Sequence, residues 1–168
     1  MAPNIVLTGF MGSGKTSVGR ALAQVLQRTF VDTDAMIEDR HGPIPTIFAE
    51  HGEATFRHHE AELADELAAQ DDLIVSTGGG MLVDPAVADR LAETGRIFCL
   101  TAEPATIIAR VRADGIAGRP LLDTDDPEAK AAELLAARAE AYGRFEAVPT
   151  DGREISEIVG DVLDRMKD

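Results

Sequence analysis

The sequence predicts an α/β protein: a parallel sheet with helices packed on both faces. Two observations lead there. Five short apolar runs lack the alternation of a one-sided sheet, as strands covered on both faces do. Each run is followed by a stretch of helical character, the strand–helix rhythm of a parallel sheet. The strands are expected at residues 5–8, 29–32, 73–76 and 97–101, with a weaker one at 146–148. The first helix is expected over 14–27, where Val18, Leu22, Val25 and Leu26 form its apolar stripe. Glu, Ala and Leu dominate 56–69, the next helix. A helix over 85–94 has Asp84 as its N-cap and Pro85 in its first turn. Residues 104–113, 127–142 and 154–167 complete the set. Two segments, 41–52 and 114–127, are rich in glycine or proline and read as irregular. The second also carries aspartates and Arg119, with Arg112 just before it, which favours a lid.

Composition narrows the function. At 168 residues and 45% hydrophobic, the chain suits one globular domain. Sixteen basic residues stand against thirty acidic ones, a net charge of −14, which opposes contact with nucleic acid or an anionic membrane. There is no Trp and one Tyr, so stacking platforms for bases are missing. No apolar run approaches the length of a membrane span, and the N-terminus has no basic leader. The single cysteine, Cys99, lies in an apolar run and is expected to be a buried, inert thiol in a reducing compartment. Only three of the sixteen cations are lysines: Lys15, Lys130 and Lys167.

Lys15 belongs to the strongest motif. Gly9-Phe10-Met11-Gly12-Ser13-Gly14-Lys15-Thr16 matches G-x-x-x-x-G-K-[ST] between the first strand and first helix. Its glycines let the backbone curl so that N–H groups face an anion. Lys15 is then placed for β- and γ-phosphates and the Thr16 hydroxyl for Mg²⁺. Asp32-Thr33-Asp34 ends the second strand, where ligands of open α/β sheets sit. Either the pair divides between a metal and a substrate hydroxyl, or Asp32 caps a helix over 35–40. Thr77-Gly78-Gly79-Gly80 follows the third strand, which lacks the terminal acid of an ordinary Walker B strand. Asp32 is the natural substitute, and the glycines bring backbone N–H groups toward a ligand. Arg119 is placed to close over a γ-phosphate from its Gly/Pro-flanked loop. His41, His51, His58 and His59 lack metal-site spacing and read as surface residues.

In this ordered set the chain resembles the shikimate kinase family. The set comprises the 9–16 loop, Asp32-Thr33-Asp34, Gly52-Glu53 with Phe56-Arg57, Thr77-Gly78-Gly79-Gly80, Arg119-Pro120-Leu121-Leu122, and Arg138 followed by Tyr142. The resemblance implies a P-loop NTPase fold of the nucleoside-monophosphate-kinase type. That is a three-layer sandwich with a five-stranded parallel sheet of order 2-3-1-4-5. It also implies one domain over 1–168, with a substrate-binding segment near 33–60 and a lid near 112–126. The implied activity is transfer of the ATP γ-phosphate to the 3-hydroxyl of shikimate, in aromatic amino acid biosynthesis, by a cytoplasmic monomer.

Roles carry over by position. Gly12, Ser13, Gly14, Lys15, Thr16, Ser17, Arg112, Arg119 and Arg153 would bind ATP, the first and last of those arginines flanking adenine. Asp34, Arg57, Gly78, Gly79, Gly80 and Arg138 would bind shikimate, with both arginines on its carboxylate. Paired guanidinium forks suit that group better than lysine. Lys15, Asp34 and Arg119 would be catalytic, Asp34 as the base. Thr16 would ligate Mg²⁺, and Asp32 would reach it through water. Residues 43–47 depart from the family pattern, one residue short and with two prolines.

Two other readings are weighed against this one. A related kinase for gluconate or a nucleoside monophosphate would share the P-loop, and gluconate also offers a carboxylate and hydroxyls. A guanine-nucleotide switch is excluded, because it needs an Asn-Lys-x-Asp element and the only asparagine is Asn4.

Overall fold

A computed structural model of the chain describes residues 1–115 and 120–168. Five parallel strands form one sheet: β1 (Asn4–Thr8), β2 (Thr29–Asp32), β3 (Leu73–Ser76), β4 (Gly95–Thr101) and β5 (Glu146–Pro149). Their spatial order is β2-β3-β1-β4-β5, the order implied above. β1 is central, registered with β3 through Ile5–Ile74 and with β4 through Val6–Ile97.

The pleat sends alternate β1 residues to opposite faces. Ile5 and Leu7 pack with Ile74, Phe98 and Val148 against Val18 and Leu22 of α1 (Lys15–Leu26) and Ile158 and Val162 of α8 (Ile155–Arg165). Val6, Val75 and Ile97 face the other layer, formed by α2 (Thr33–His41), α3 (Ile44–His51), α4 (Glu53–Ala68) and α5 (Pro85–Ala92). Both faces are therefore covered, and each fully buried side chain of this size contributes about 1.5–3 kcal/mol. A third cluster joins Phe10 to Ile107, Ile108 and Val111 of α6 (Pro104–Asp114) and to Ala131 of α7 (Pro127–Tyr142).

Several expectations need correction. Segment 41–52 is not irregular: α3 occupies Ile44–His51. Pro43 serves as its N-cap and Pro45 sits in the first turn, where a missing N–H costs nothing. Gly42 and Gly52 bracket the helix at φ 89° and 84°, and they, not the prolines, are the true breaks. α4 begins at Glu53 rather than at Phe56. In the expected lid, α6 runs to Asp114 and a short 3₁₀ turn covers Pro120–Leu122, while Arg119 lies outside the described residues. His59 is half-buried, not a surface residue, and stacks on His41 with centroids 3.6 Å apart. Cys99 is buried as expected, and burial pushes its thiol up to about 11. Among the described residues no helix is long and apolar enough to cross a membrane.

Candidate active site

The site gathers at the carboxyl ends of β1, β2 and β3. The loop from Gly9 to Gly14 wraps the start of α1, with Gly12 at φ 75° and Gly14 at φ 99°. An L side chain resists both conformations, so glycine is needed there. Lys15 extends back over this loop and donates from Nζ to the carbonyls of Gly9, at 2.6 Å, and Phe10, at 2.9 Å. Thr16 and Ser17 are exposed at the mouth of α1, while Ser13 is buried.

Asp32 is the cap of the following helix and also lines a cleft. Its Oδ1 accepts from the Ala35 N–H at 3.1 Å and so caps α2. The cleft, of about 410 Å³, also touches Gly12, Lys15, Thr16, Asp34 and Gly79. Thr33 is buried, and its hydroxyl accepts from the Gly78 N–H at 3.0 Å. That bond fastens the end of β2 to the glycine run and lays Asp34 against it. Burial raises the Asp34 pKa above the ordinary aspartate value, repulsion from Asp32 adds to this, and Lys15 opposes it.

The three glycines have a sharper role than expected. The Gly78 N–H is committed to Thr33 and does not face a ligand. What each glycine supplies is room. A Cβ on Gly78 would come within 2.5 Å of Asp34 Oδ1. One on Gly79 would lie 3.1 Å from Arg138 Nη1, and one on Gly80 would lie 2.9 Å from both terminal nitrogens of Arg57. The run is thus a floor over which one carboxylate and two guanidiniums pass in succession.

Arg57, on α4, bonds Glu60 at 2.7 Å and Glu53 at 3.4 Å. Arg57 and Arg138 line a second cavity of about 330 Å³ together with Gly80, Glu53 and Glu60. Asp34 lines the first cleft and the two arginines the second, with the glycine run between them; the set suits a small acceptor with a carboxylate and hydroxyls.

A third cavity, about 320 Å³, opens on the far side of the P-loop, lined by Gly12, Gly14, Ser17, Arg110, Thr150 and Arg153. Arg153 is held there by Asp161 at 3.0 Å and by the Pro149 carbonyl at 2.8 Å. Arg110 bonds the Gly12 carbonyl at 3.1 Å and Thr150 through both its hydroxyl and carbonyl. Arg112 is exposed at the end of α6 and is not among the residues lining this cavity.

Sequence reasoning passed over Arg110, Glu60 and Tyr142 as working residues. Glu60 left a signal: it shares the inward stripe of Phe56, Leu63 and Leu67 on α4, where an acid has no place unless paired. Arg110 left none, because its partners come from Gly12 and Thr150, far away in sequence.

A P-loop at the carboxyl end of the central strand of a doubly covered parallel sheet, facing a carboxylate across one cleft, defines a P-loop kinase for small acceptors. The model of the shikimate kinase family matches residues 11–167. A shikimate kinase of Symbiobacterium thermophilum is 41% identical over 168 residues, spanning 98% of this chain and 97% of its own. The solved shikimate kinase from Acinetobacter baumannii in complex with shikimate has a TM-score of 0.90 at 34% identity, over 99% of this chain and 94% of its own. A gluconokinase from Sinorhizobium meliloti scores 0.66 at 21% identity, covering 98% and 91%, and shares the fold. The chain belongs to the shikimate kinase family, and its activity is ATP-dependent phosphoryl transfer.

Proposed function

We propose that this enzyme moves the γ-phosphoryl group of ATP onto the 3-hydroxyl of shikimate with the residues placed as follows. Lys15 and the amides of the Gly12–Thr16 turn hold the phosphates, with the adenine beyond them, flanked by Arg112 and Arg153. Arg57 and Arg138 take the shikimate carboxylate, and the ring lies across Gly79 so that its hydroxyls meet Asp34. Asp34 orients the attacking oxygen and accepts its proton. Phosphoryl transfer needs alignment and charge compensation more than covalent help. Arg119, carried by the segment near 112–126, is assigned to the transferring group by family resemblance.

The donors at the cleft are hydroxyl and carboxylate oxygens, which fit Mg²⁺, a hard cation that keeps most of its waters and leans on phosphate oxygens. Thr16 would ligate it and Asp32 would hold its waters. When bound, Mg²⁺ supplies charge neutralisation at the phosphate oxygens. Residues 1–168 act as one unit, with 33–60 as the acceptor-binding segment, in a cytoplasmic monomer.

The observation that carries this reading is the glycine floor, with Asp34 over Gly78 and the two arginines over Gly79 and Gly80. It is tested by ATP turnover with purified protein supplied in parallel with shikimate, gluconate and nucleoside monophosphates. Turnover with shikimate alone is expected. Preferred turnover with gluconate or a nucleotide overturns it.

A further inference from the structure

Arg138 is held from two sides. Its guanidinium lies over the Phe10 ring, 5.4 Å from the centroid. Its Nη1 donates to the Tyr142 hydroxyl at 3.3 Å, and that hydroxyl donates to the Gly79 carbonyl at 2.7 Å. A phenol can give its proton to one partner and a lone pair to another, whereas a phenylalanine ring can do neither. Tyr142 stands one turn beyond Arg138 on α7, so the two side chains share a face. The space around them is tight: a Cβ on Gly79 would lie 3.1 Å from Arg138 Nη1 and 3.8 Å from the Tyr142 oxygen.

We propose that Tyr142 is a positioning residue for the acceptor's carboxylate. Its hydroxyl sets the plane of the Arg138 fork and fastens the glycine run to α7. The inference rests on the reading that Arg138 binds that carboxylate. A bidentate contact depends on the orientation of a planar group, so a bond that fixes the plane acts on affinity for that one substrate. Burial raises the phenol's pKa even with Arg138 beside it, so the hydroxyl keeps its proton to donate.

Tyr142→Phe removes both bonds and leaves the ring in place. The expected result is a shikimate KM raised about tenfold, the scale of one hydrogen bond to a charged group. The kcat should stay within about twofold, and the ATP KM should not move. A tyrosine that served only packing would instead lower thermal stability without separating the two substrates. In an Arg138→Lys background the same change should add little, because the tyrosine acts through that arginine. An unchanged shikimate KM in Tyr142→Phe, or a fully additive effect in the double variant, overturns the proposal. An unchanged shikimate KM in Arg138→Lys overturns the site reading beneath it.

Should Tyr142→Phe fail to fold, the wild-type protein still provides a test. The chain has one Tyr and no Trp, so its tyrosine emission reports on this residue alone. That emission should change as shikimate saturates the protein. Emission that stays constant through saturation overturns the proposal.

Discussion

Replacing Glu60 with glutamine should flatten the pH dependence of stability. The Glu60 side chain is 3% exposed. Burial pushes its carboxyl from 4.5 up to about 7, although Arg57 lies 2.7 Å away and pulls the other way. The two partners differ in which effect wins. At Arg57 burial opposes the charge, but the bonds to Glu60 and Glu53 raise its pKa overall. At Glu60, deeper in the protein, desolvation prevails. Between pH 4.5 and about 7 the folded protein therefore keeps a proton that the unfolded chain has released. Stability contributed by this group is complete below the unfolded value and is lost as pH rises through the folded one. At about 1.4 kcal/mol per pKa unit, the loss between pH 5 and pH 8 is about 2–3 kcal/mol. Glutamine keeps an acceptor for Arg57 and does not titrate. Urea unfolding of both proteins at several pH values makes the measurement, since titrating groups remote from Glu60 cancel in the difference. Stability should shift in favour of the variant by that amount from pH 5 to pH 8. Parallel curves for the two proteins would refute the reasoning, because they would mean that Glu60 is solvated or already ionised at pH 5.

Two further predictions concern the acceptor end. Arg57→Lys should raise the shikimate KM strongly, by the equivalent of about 2–4 kcal/mol for a lost charged bidentate contact, with ATP binding nearly intact; steady-state kinetics with each substrate varied decides it. Gly80→Ala should raise the shikimate KM about tenfold by pushing the Arg57 fork from its place, the scale of one disturbed charged contact, since the new Cβ would lie 2.9 Å from both terminal nitrogens. Its melting temperature should change little, and the same kinetic comparison checks the KM.

Much of the frame was legible in the sequence because strands buried on both faces leave continuous apolar runs. β2 and β3 fall at the expected residues, and α7 does too. The P-loop was legible because its chemistry demands fixed glycines beside one lysine. α3 was not, because two prolines near a glycine read as a break when they in fact occupy a helix start. The glycine run suggests backbone N–H groups turned toward a ligand, yet the Gly78 N–H is taken by Thr33, and the role as a floor depends on which charged side chains cross it, a matter of tertiary placement. The same limit hid Arg110, whose partners stand tens of residues away, and the bond of Tyr142 to Gly79, although its pairing with Arg138 is one helical turn. Glu60 was within reach, since helical periodicity alone puts it among buried leucines.

The two carboxylates at the end of β2 are proposed to have different tasks, Asp32 toward Mg²⁺ and Asp34 toward the attacking hydroxyl. Burial and the nearby charge of Asp32 raise the Asp34 pKa, so the acid limb of the pH–rate profile should lie above that of an ordinary aspartate. The most direct measurement is Asp34→Asn, assayed for turnover and for the Mg²⁺ dependence of ATP binding in the same preparation. Asparagine keeps the shape and loses the proton acceptor. Turnover should fall by about 10²–10⁴-fold, the contribution of a positioned base, with Mg²⁺ dependence near that of the wild type. A variant that retains most of its turnover at saturating Mg²⁺, but binds the metal–nucleotide complex with altered Mg²⁺ dependence, would mean that Asp34 serves the metal and not the hydroxyl.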